Sequence, residues 1–346
     1  MICFNVHTGS RNLNIKIPVK NYLYYAEPKY NLTEIPEEKI ICESLDNPIR
    51  CDPLGSIKKN SRVVIIIDDC TRPTPTSKII PHVIKRIQNK TNNIAFITAP
   101  GTHRKLTRKE LIDKIGQEYL NKFELFNIHY KEKDSYNYIG QSELNTPLYI
   151  HKSVIEADFR IVIGNINIHN VVGWSGGAKM LHPGVSGEKT TSFTHLKGAT
   201  NYDLIEVIGN INTPMRKEVD DIGKIVGLEF IINTVLDMEG NILGLFSGHY
   251  IEAHRAGVSF AQKILRPKIP SLADIVIVSA YPSNADYWQG LKPLAFSMFG
   301  VKKNGTIIFL FDPKEGLCGN SPTHKKTLKQ YLPTSKEQII ESINNN

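Results

Sequence analysis

The chain of 346 residues is 41% hydrophobic and carries a formal charge of +8, from 42 Lys and Arg against 34 Asp and Glu. That composition excludes a collagen-like repeat, a disordered tail and a disulfide-stapled miniature. At roughly 150 residues per domain it suggests two domains, each able to bury a core.

The basic excess is mixed with acids, as in Lys131-Glu132-Lys133-Asp134, and not drawn into the single stripe of a nucleic-acid binder. Five cysteines, odd in number and without a CxxC pair, read as reduced thiols and not as a disulfide framework or zinc site. The longest aliphatic run, Val63 to Ile67, falls far short of the roughly 20 apolar residues of a membrane span. No basic and apolar leader opens the chain. A cytoplasmic protein with neither nucleic acid nor membrane as partner is expected.

In chain order, Leu13 to Val19 is a β-rich start, followed by a polar connector with weak helical signals. Arg62 to Ile67 is a continuous β-branched run, as a strand buried on both faces requires. Asp68-Asp69-Cys70-Thr71-Arg72-Pro73-Thr74-Pro75 follows as a turn that two prolines keep from being helical. Ser77 to Gln88 is amphipathic, Asn93 to Thr98 is a second strand, and Thr107-Arg-Lys-Glu110 opens a helix with a capping-box pattern. Phe159 to Ile163 is a third strand, leading into a long Gly-rich stretch. Thr213-Pro214 starts a further helix with Pro at its first position. Leu228 to Leu236 and Ile242 to Phe246 read as a hairpin, and His249 to Ile264 as a helix. Beyond a linker at Arg266 to Pro270, a strand (Asp274 to Ser279), a helix after Asn284 and a strand (Thr306 to Phe311) form a smaller unit. Strands alternating with helices predict an α/β protein of two lobes, each an open, mostly parallel sheet with crossover helices. The expected lobes are residues 1–265 and a smaller lobe, 266–346.

In such sheets, ligands bind at loops leaving the carboxyl ends of strands. Four loops qualify. The first offers Asp69 and Arg72, whose planar fork matches a carboxylate or phosphate. The second offers His103, an imidazole suited to act as base and acid in turn. The third, residues 164–187, holds His169 and His182, with His195 shortly beyond, in a chain of only 11 histidines. Its Gly173-Trp-Ser-Gly-Gly-Ala-Lys179 segment suits backbone approach to an anion, with Ser175, Gly176 and Gly177 as the cradle. It lacks the GK[ST] of a Walker A loop, and the histidines match no zinc spacing. Lys179 could be a nucleophilic or cofactor-bearing amine. The fourth loop places Gln289 and Lys292 one helical turn apart, able to clamp a carboxylate. Taken singly, each group has a plainer reading: a braced turn, a surface imidazole, a Gly-rich turn with core histidines, a solvated helix start.

Taken together, the segments DDCTRPTP (68–75), GTHRKLT (101–107), IHNVVGWSGGAKMLHPGVSGEKTTSFTH (168–195) and QGLK (289–292) resemble the nickel-pincer lactate racemase family. The resemblance implies a nickel ion in a pyridinium-3-thioamide-5-thiocarboxylic acid mononucleotide, covalently attached to Lys179, with His195 as the protein's metal ligand. It implies His103 and His169 as the acid–base pair, and Arg72, Gln289 and Lys292 as substrate-binding residues. Asp69 lies nearby as an orienter, with Ser175, Gly176 and Gly177 on the cofactor side. The implied reaction is inversion of a 2-hydroxy acid, lactate by default, by reversible hydride transfer in a cleft between the lobes. Enzymes that build the cofactor are implied as loading partners, and the oligomeric state is left open, a homo-oligomer included. Trp174 and Trp288 stand where the family commonly has other aromatics, so a changed substrate preference is expected there. The rival reading is a catalytically silent protein that binds the cofactor or a hydroxy acid.

Overall fold

A computed structural model describes residues 1–28, 30, 35–318, 322–331 and 333–344. The chain divides into two compact units: Pro28–Ala199 with Glu206–Pro267, and Met1–Glu27 with Thr200–Ile205 and Lys268–Asn346.

The larger unit is built on a six-stranded sheet in the order Ile242–Gly248, Phe230–Leu236, Phe159–Asn165, Val63–Asp68, Ile94–Ala99, Glu124–Phe126. All pairings are parallel except the edge hairpin, where Phe230–Leu236 meets Ile242–Gly248 antiparallel. The β-branched run is buried at every position, as its two-sided apolar sequence requires. Helix Thr76–Ile87 lays Ile79, Ile80, Val83, Ile84 and Ile87 onto the same core. Helix Glu37–Asp46 emerges from the polar connector because Ile41 and Leu45 recur at helical spacing and are fully buried.

This topology brings the candidate loops together. Val63–Asp68 lies between Phe159–Asn165 and Ile94–Ala99, all three parallel, so the loops at their carboxyl ends share one sheet edge. Groups separated by up to a hundred residues in sequence become neighbours by strand order alone.

Elements not foreseen include the hairpin Tyr136–Gln141 with Pro147–His151, the short edge strand Glu124–Phe126, and helix Glu188–Asn201. That helix carries no apolar stripe of its own and follows a Gly-rich stretch, so periodicity could not reveal it.

The smaller unit holds less sheet than the larger. Among the described residues it has two two-stranded sheets: antiparallel Ile2–His7 with Asn12–Ile17, and parallel Ala273–Ser279 with Val301–Leu310. Helix Tyr287–Ser297 is the crossover. Residues 1–27 group with the C-terminal residues. Polar bonds tie them there: Tyr24 Oη donates to the Ser271 carbonyl at 2.7 Å and Ser279 Oγ to the His7 carbonyl at 2.6 Å. Nothing local in the sequence signals bonds across some 250 residues.

Candidate active site

The first loop is fixed from beneath by a buried ammonium. Lys114, on helix Arg108–Ile115, donates to Asp68 Oδ1 at 2.6 Å, to the Arg72 carbonyl at 2.9 Å and to the Thr74 carbonyl at 3.3 Å. Thr74 Oγ1 donates to the other oxygen of Asp68. The helix is set by the expected capping box, with Thr107 Oγ1 accepting from the Glu110 N–H and the Glu110 carboxylate accepting from the Thr107 N–H at 2.7 Å. Lys114 was missed at the sequence level because a lysine in a helix is most often a solvated charge.

On this turn the buried Asp69 carboxylate pairs with His103 Nδ1 at 2.5 Å and accepts from Thr71 Oγ1 at 2.6 Å. Thr71 Oγ1 in turn accepts from Arg72 Nη1 at 2.8 Å. Burial alone would raise the Asp69 carboxyl. The His103 imidazolium, the hydrogen bond to it and the Arg72 guanidinium outweigh burial and hold the carboxyl well below its usual range. With Nδ1–H donating to Asp69, a neutral His103 carries its lone pair on Nε2.

The third loop spends part of its polar capacity on itself. Ser175 Oγ donates to the Asn165 carbonyl at 2.9 Å and accepts from the Asn167 N–H at 2.8 Å, so the hydroxyl is spent on the loop itself. The Gly177 N–H donates to Asn233 Oδ1 at 2.7 Å. Gly176 and Gly177 take φ of 84° and 61°, and a Cβ on Gly177 would stand 3.0 Å from the Arg216 guanidinium. These three residues shape a tight turn that presents Lys179. Beneath them the fully buried Arg216 donates to the Gly176 carbonyl at 3.1 Å and pairs with Asp220 at 2.6 Å, while His254 Nε2 donates to the Ser175 carbonyl at 2.8 Å. Trp174 is also fully buried, its indole N–H donating to the Gly209 carbonyl at 2.9 Å. It belongs to the core.

Lys179 is half-buried, and among the described residues its Nζ makes no hydrogen bond or ion pair. Burial, then the Arg72 and Arg216 guanidinium groups, pull its amine down to about 7 against the opposing pull of Asp69. His195, on helix Glu188–Asn201, donates from Nδ1 to the Thr191 carbonyl at 2.8 Å, which leaves the Nε2 lone pair for a ligand. Poorly hydrated surroundings lower its pKa, opposed by the Thr191 bond and reinforced by Lys179 and His103, yet the residue keeps an exposed face. His169 ends the short strand Ile168–His169; the Val171 N–H donates to its Nδ1 at 3.1 Å, placing the proton of the neutral ring on Nε2. His182 is buried, its Nε2 2.7 Å from Thr194 Oγ1 and its Nδ1 3.3 Å from Ser186 Oγ. Electrostatic coupling thus links Asp69, Arg72, His103, Lys179 and His195 into one site on the larger unit.

In the smaller unit, Asp286 caps helix Tyr287–Ser297 by accepting from the Gln289 N–H at 2.9 Å. Lys292 Nζ donates to Gln289 Oε1 at 2.5 Å, so the two residues meet on one helix face as their spacing requires.

A sequence profile for the lactate racemase N-terminal domain matches residues 8–203. The lactate racemase of Lactiplantibacillus plantarum is 29% identical over 353 aligned positions, spanning 99% of this chain and 82% of that protein. The lactate racemase of Thermoanaerobacterium thermosaccharolyticum is 31% identical over 291 positions, spanning 82% and 67%. The structure of the lactate racemase apoprotein from the latter organism matches at a TM-score of 0.87 with 25% identity, over 100% of this chain and 82% of that one. A Thermotoga maritima protein, 18% identical and matching 70% of this chain at a TM-score of 0.55, shares the fold. An α/β isomerase of the racemase class is what fold and relatives define. The chain belongs to the lactate racemase family.

Proposed function

We propose that this racemase inverts a 2-hydroxy acid, lactate by default, with a nickel-pincer nucleotide tethered to Lys179. The observation that carries the reading is the state of Lys179: a half-buried amine with no partner among the described residues, pulled down to about 7. Such an amine is substantially neutral and nucleophilic at physiological pH, as covalent attachment requires. The donor set fits as well. His195 has its Nδ1–H anchored and its Nε2 lone pair available, and among the described residues no three His, Cys, Asp or Glu side chains group as a metal site. A metal held at His195 therefore suits a cofactor that brings its own further ligands. When bound, that group supplies the hydride acceptor and donor that inversion at a carbinol carbon needs.

The chain's own residues handle the proton and the carboxylate. Asp69 holds His103 through its Nδ1–H, which leaves the lone pair of the neutral ring on Nε2 to take the substrate hydroxyl proton. His169, with its neutral-ring proton on Nε2, is the complementary donor. Two imidazoles suit the reaction because opposite enantiomers present the hydroxyl differently. Arg72 binds the carboxylate, leaving only the carbinol carbon to rearrange, and Gln289 and Lys292 are the smaller unit's substrate-binding residues. A silent binding protein would need Lys179 and His195 but no imidazole poised by a carboxylate, so the Asp69–His103 pair favours catalysis.

The test is intact mass of protein co-produced with cofactor-building enzymes, beside Lys179→Ala, followed by chiral assay on a panel of hydroxy acids. A nucleotide-sized adduct in the wild type and not in the variant is expected, with racemisation in the adduct-bearing protein alone. Bare polypeptide mass in both, beside a loaded family member as positive control, would overturn the cofactor assignment.

A further inference from the structure

Residues 181–186 connect three separate parts of the site. The segment leaves Lys179 through backbone bonds from the Leu181 and His182 N–H groups to the Ala178 carbonyl, at 2.9 and 3.2 Å. Its Gly184 carbonyl accepts from the Gly101 N–H at 3.1 Å, two residues before His103. Its His182 reaches Thr194 Oγ1 at 2.7 Å, one residue before His195.

The hydrogen-bond directions form one consistent chain. Ser186 Oγ donates to the Leu181 carbonyl at 2.8 Å, which commits its only proton. His182 Nδ1–H then donates to Ser186 Oγ, and Nε2 accepts from the Thr194 hydroxyl at 2.7 Å, a closer acceptor for that one proton than the Thr190 and Thr191 carbonyls at 3.2 Å. All of these side chains are buried. A buried imidazole satisfied at both nitrogens is held in one orientation, because leaving either nitrogen unpaired would forfeit a bond that water cannot replace. The connection is also short. Of the sixteen residue steps from Lys179 to His195, the His182–Thr194 bond bypasses twelve.

We infer that His182 is a positioning residue which, through its bond to Thr194, sets the separation between Lys179 and His195. It thereby determines how firmly a group tethered at Lys179 keeps its metal on His195. The inference rests on the cofactor reading above. It assigns to His182 neither contact with substrate nor a proton-transfer role. Covalent attachment and metal retention become separable properties: the first depends on Lys179, the second on the His182–Thr194 bond.

The experiment uses holoenzyme of wild type, Thr194→Val, Thr194→Ser and Lys179→Ala, each co-produced with the cofactor-building enzymes. Intact mass gives the adduct per chain. Metal analysis, before and during dialysis against EDTA, gives nickel per adduct. Thr194→Val keeps the shape of the side chain and removes the hydroxyl. It is expected to carry the adduct at the wild-type level and to lose nickel about tenfold faster, the scale of effect for residues that orient a ligand. Thr194→Ser should restore retention. A role confined to folding would lower adduct, nickel and soluble yield together, and that result overturns the inference. So does wild-type nickel retention in Thr194→Val. If Thr194→Val is insoluble, Ser186→Ala frees His182 Nδ1 by a milder change, and unaltered nickel retention there overturns it equally. Absence of any adduct in the wild type instead overturns the cofactor reading, and this inference with it.

Discussion

The two units hold their functional groups in different ways. In the larger unit several candidate residues rest on buried polar structure: Asp69 on Thr71 and His103, its turn on Lys114, the Lys179 loop on Arg216 and Asp220. In the smaller unit the parallel strands Ala273–Ser279 and Val301–Leu310 are exposed along much of their length, and Gln289 and Lys292 sit on a single crossover helix. The contrast follows from sheet size. A six-stranded sheet with helices on it can pay for burying charges by pairing them, while a two-stranded sheet offers little interior. Preorganised chemistry belongs on the first, and substrate-binding groups can sit on the second.

The largest effect should come from Lys179→Ala, which is expected to abolish activity. In the apoprotein, amine-selective labelling with peptide mapping should show Lys179 reactivity rising through pH of about 7. An inflection at the ordinary lysine value of about 10.4 would remove the larger unit's claim to preorganise that amine. Next, His103→Gln should lower kcat by roughly 10²–10⁴-fold with little change in KM, as loss of an acid–base group does. Its partner gives a pH signature. Because the Asp69 carboxyl sits lower in the folded protein than its unfolded value of about 3.9, its contribution to stability is complete above that pH. The contribution is lost as pH falls below it, so the Tm values of wild type and Asp69→Asn should converge in acid.

Lys114→Met leaves Asp68 buried without its partner and should cost about 3–5 kcal/mol by denaturant titration. A loss under 1 kcal/mol would show that the first loop does not depend on its ammonium brace. In the smaller unit, Lys292→Met should raise KM by roughly 10–100-fold, the worth of one hydrogen bond to a charged group, with Tm nearly unchanged. An equal loss of Tm would mean that the smaller unit also depends on a buried charge. The smallest effect belongs to the surface: Lys39→Ala breaks an exposed pair with Glu43 and should change stability by no more than about 0.5 kcal/mol.

Much of the fold was legible. Strands Val63–Asp68, Ile94–Ala99 and Phe159–Asn165, the capping box at Thr107 and the edge hairpin all lie within a residue or two of their expected positions. Each rests on a local signal: a β-branched run, a capping pattern, a turn. The candidate groups Asp69, Arg72, His103 and Lys179 were visible as residue types on loops after strands. Their supports were not. Lys114, Arg216 and Asp220 look like solvated charges in sequence and lie buried in the fold. Nor do Asn165, Asn167 and Asn233 announce in sequence their bonds to the Ser175 hydroxyl and the Gly177 N–H.

By itself, then, the sequence determined which segments become strands and helices, and which loops carry reactive side chains, because those depend on periodicity and on neighbours a few residues away. Tertiary structure alone decided that residues 1–27 join the C-terminal unit, that Trp174 is core, and that Lys179 lies within the influence of Arg72 and Arg216. It also decided which charges are buried and paired, since a charge's environment depends on what the chain places around it.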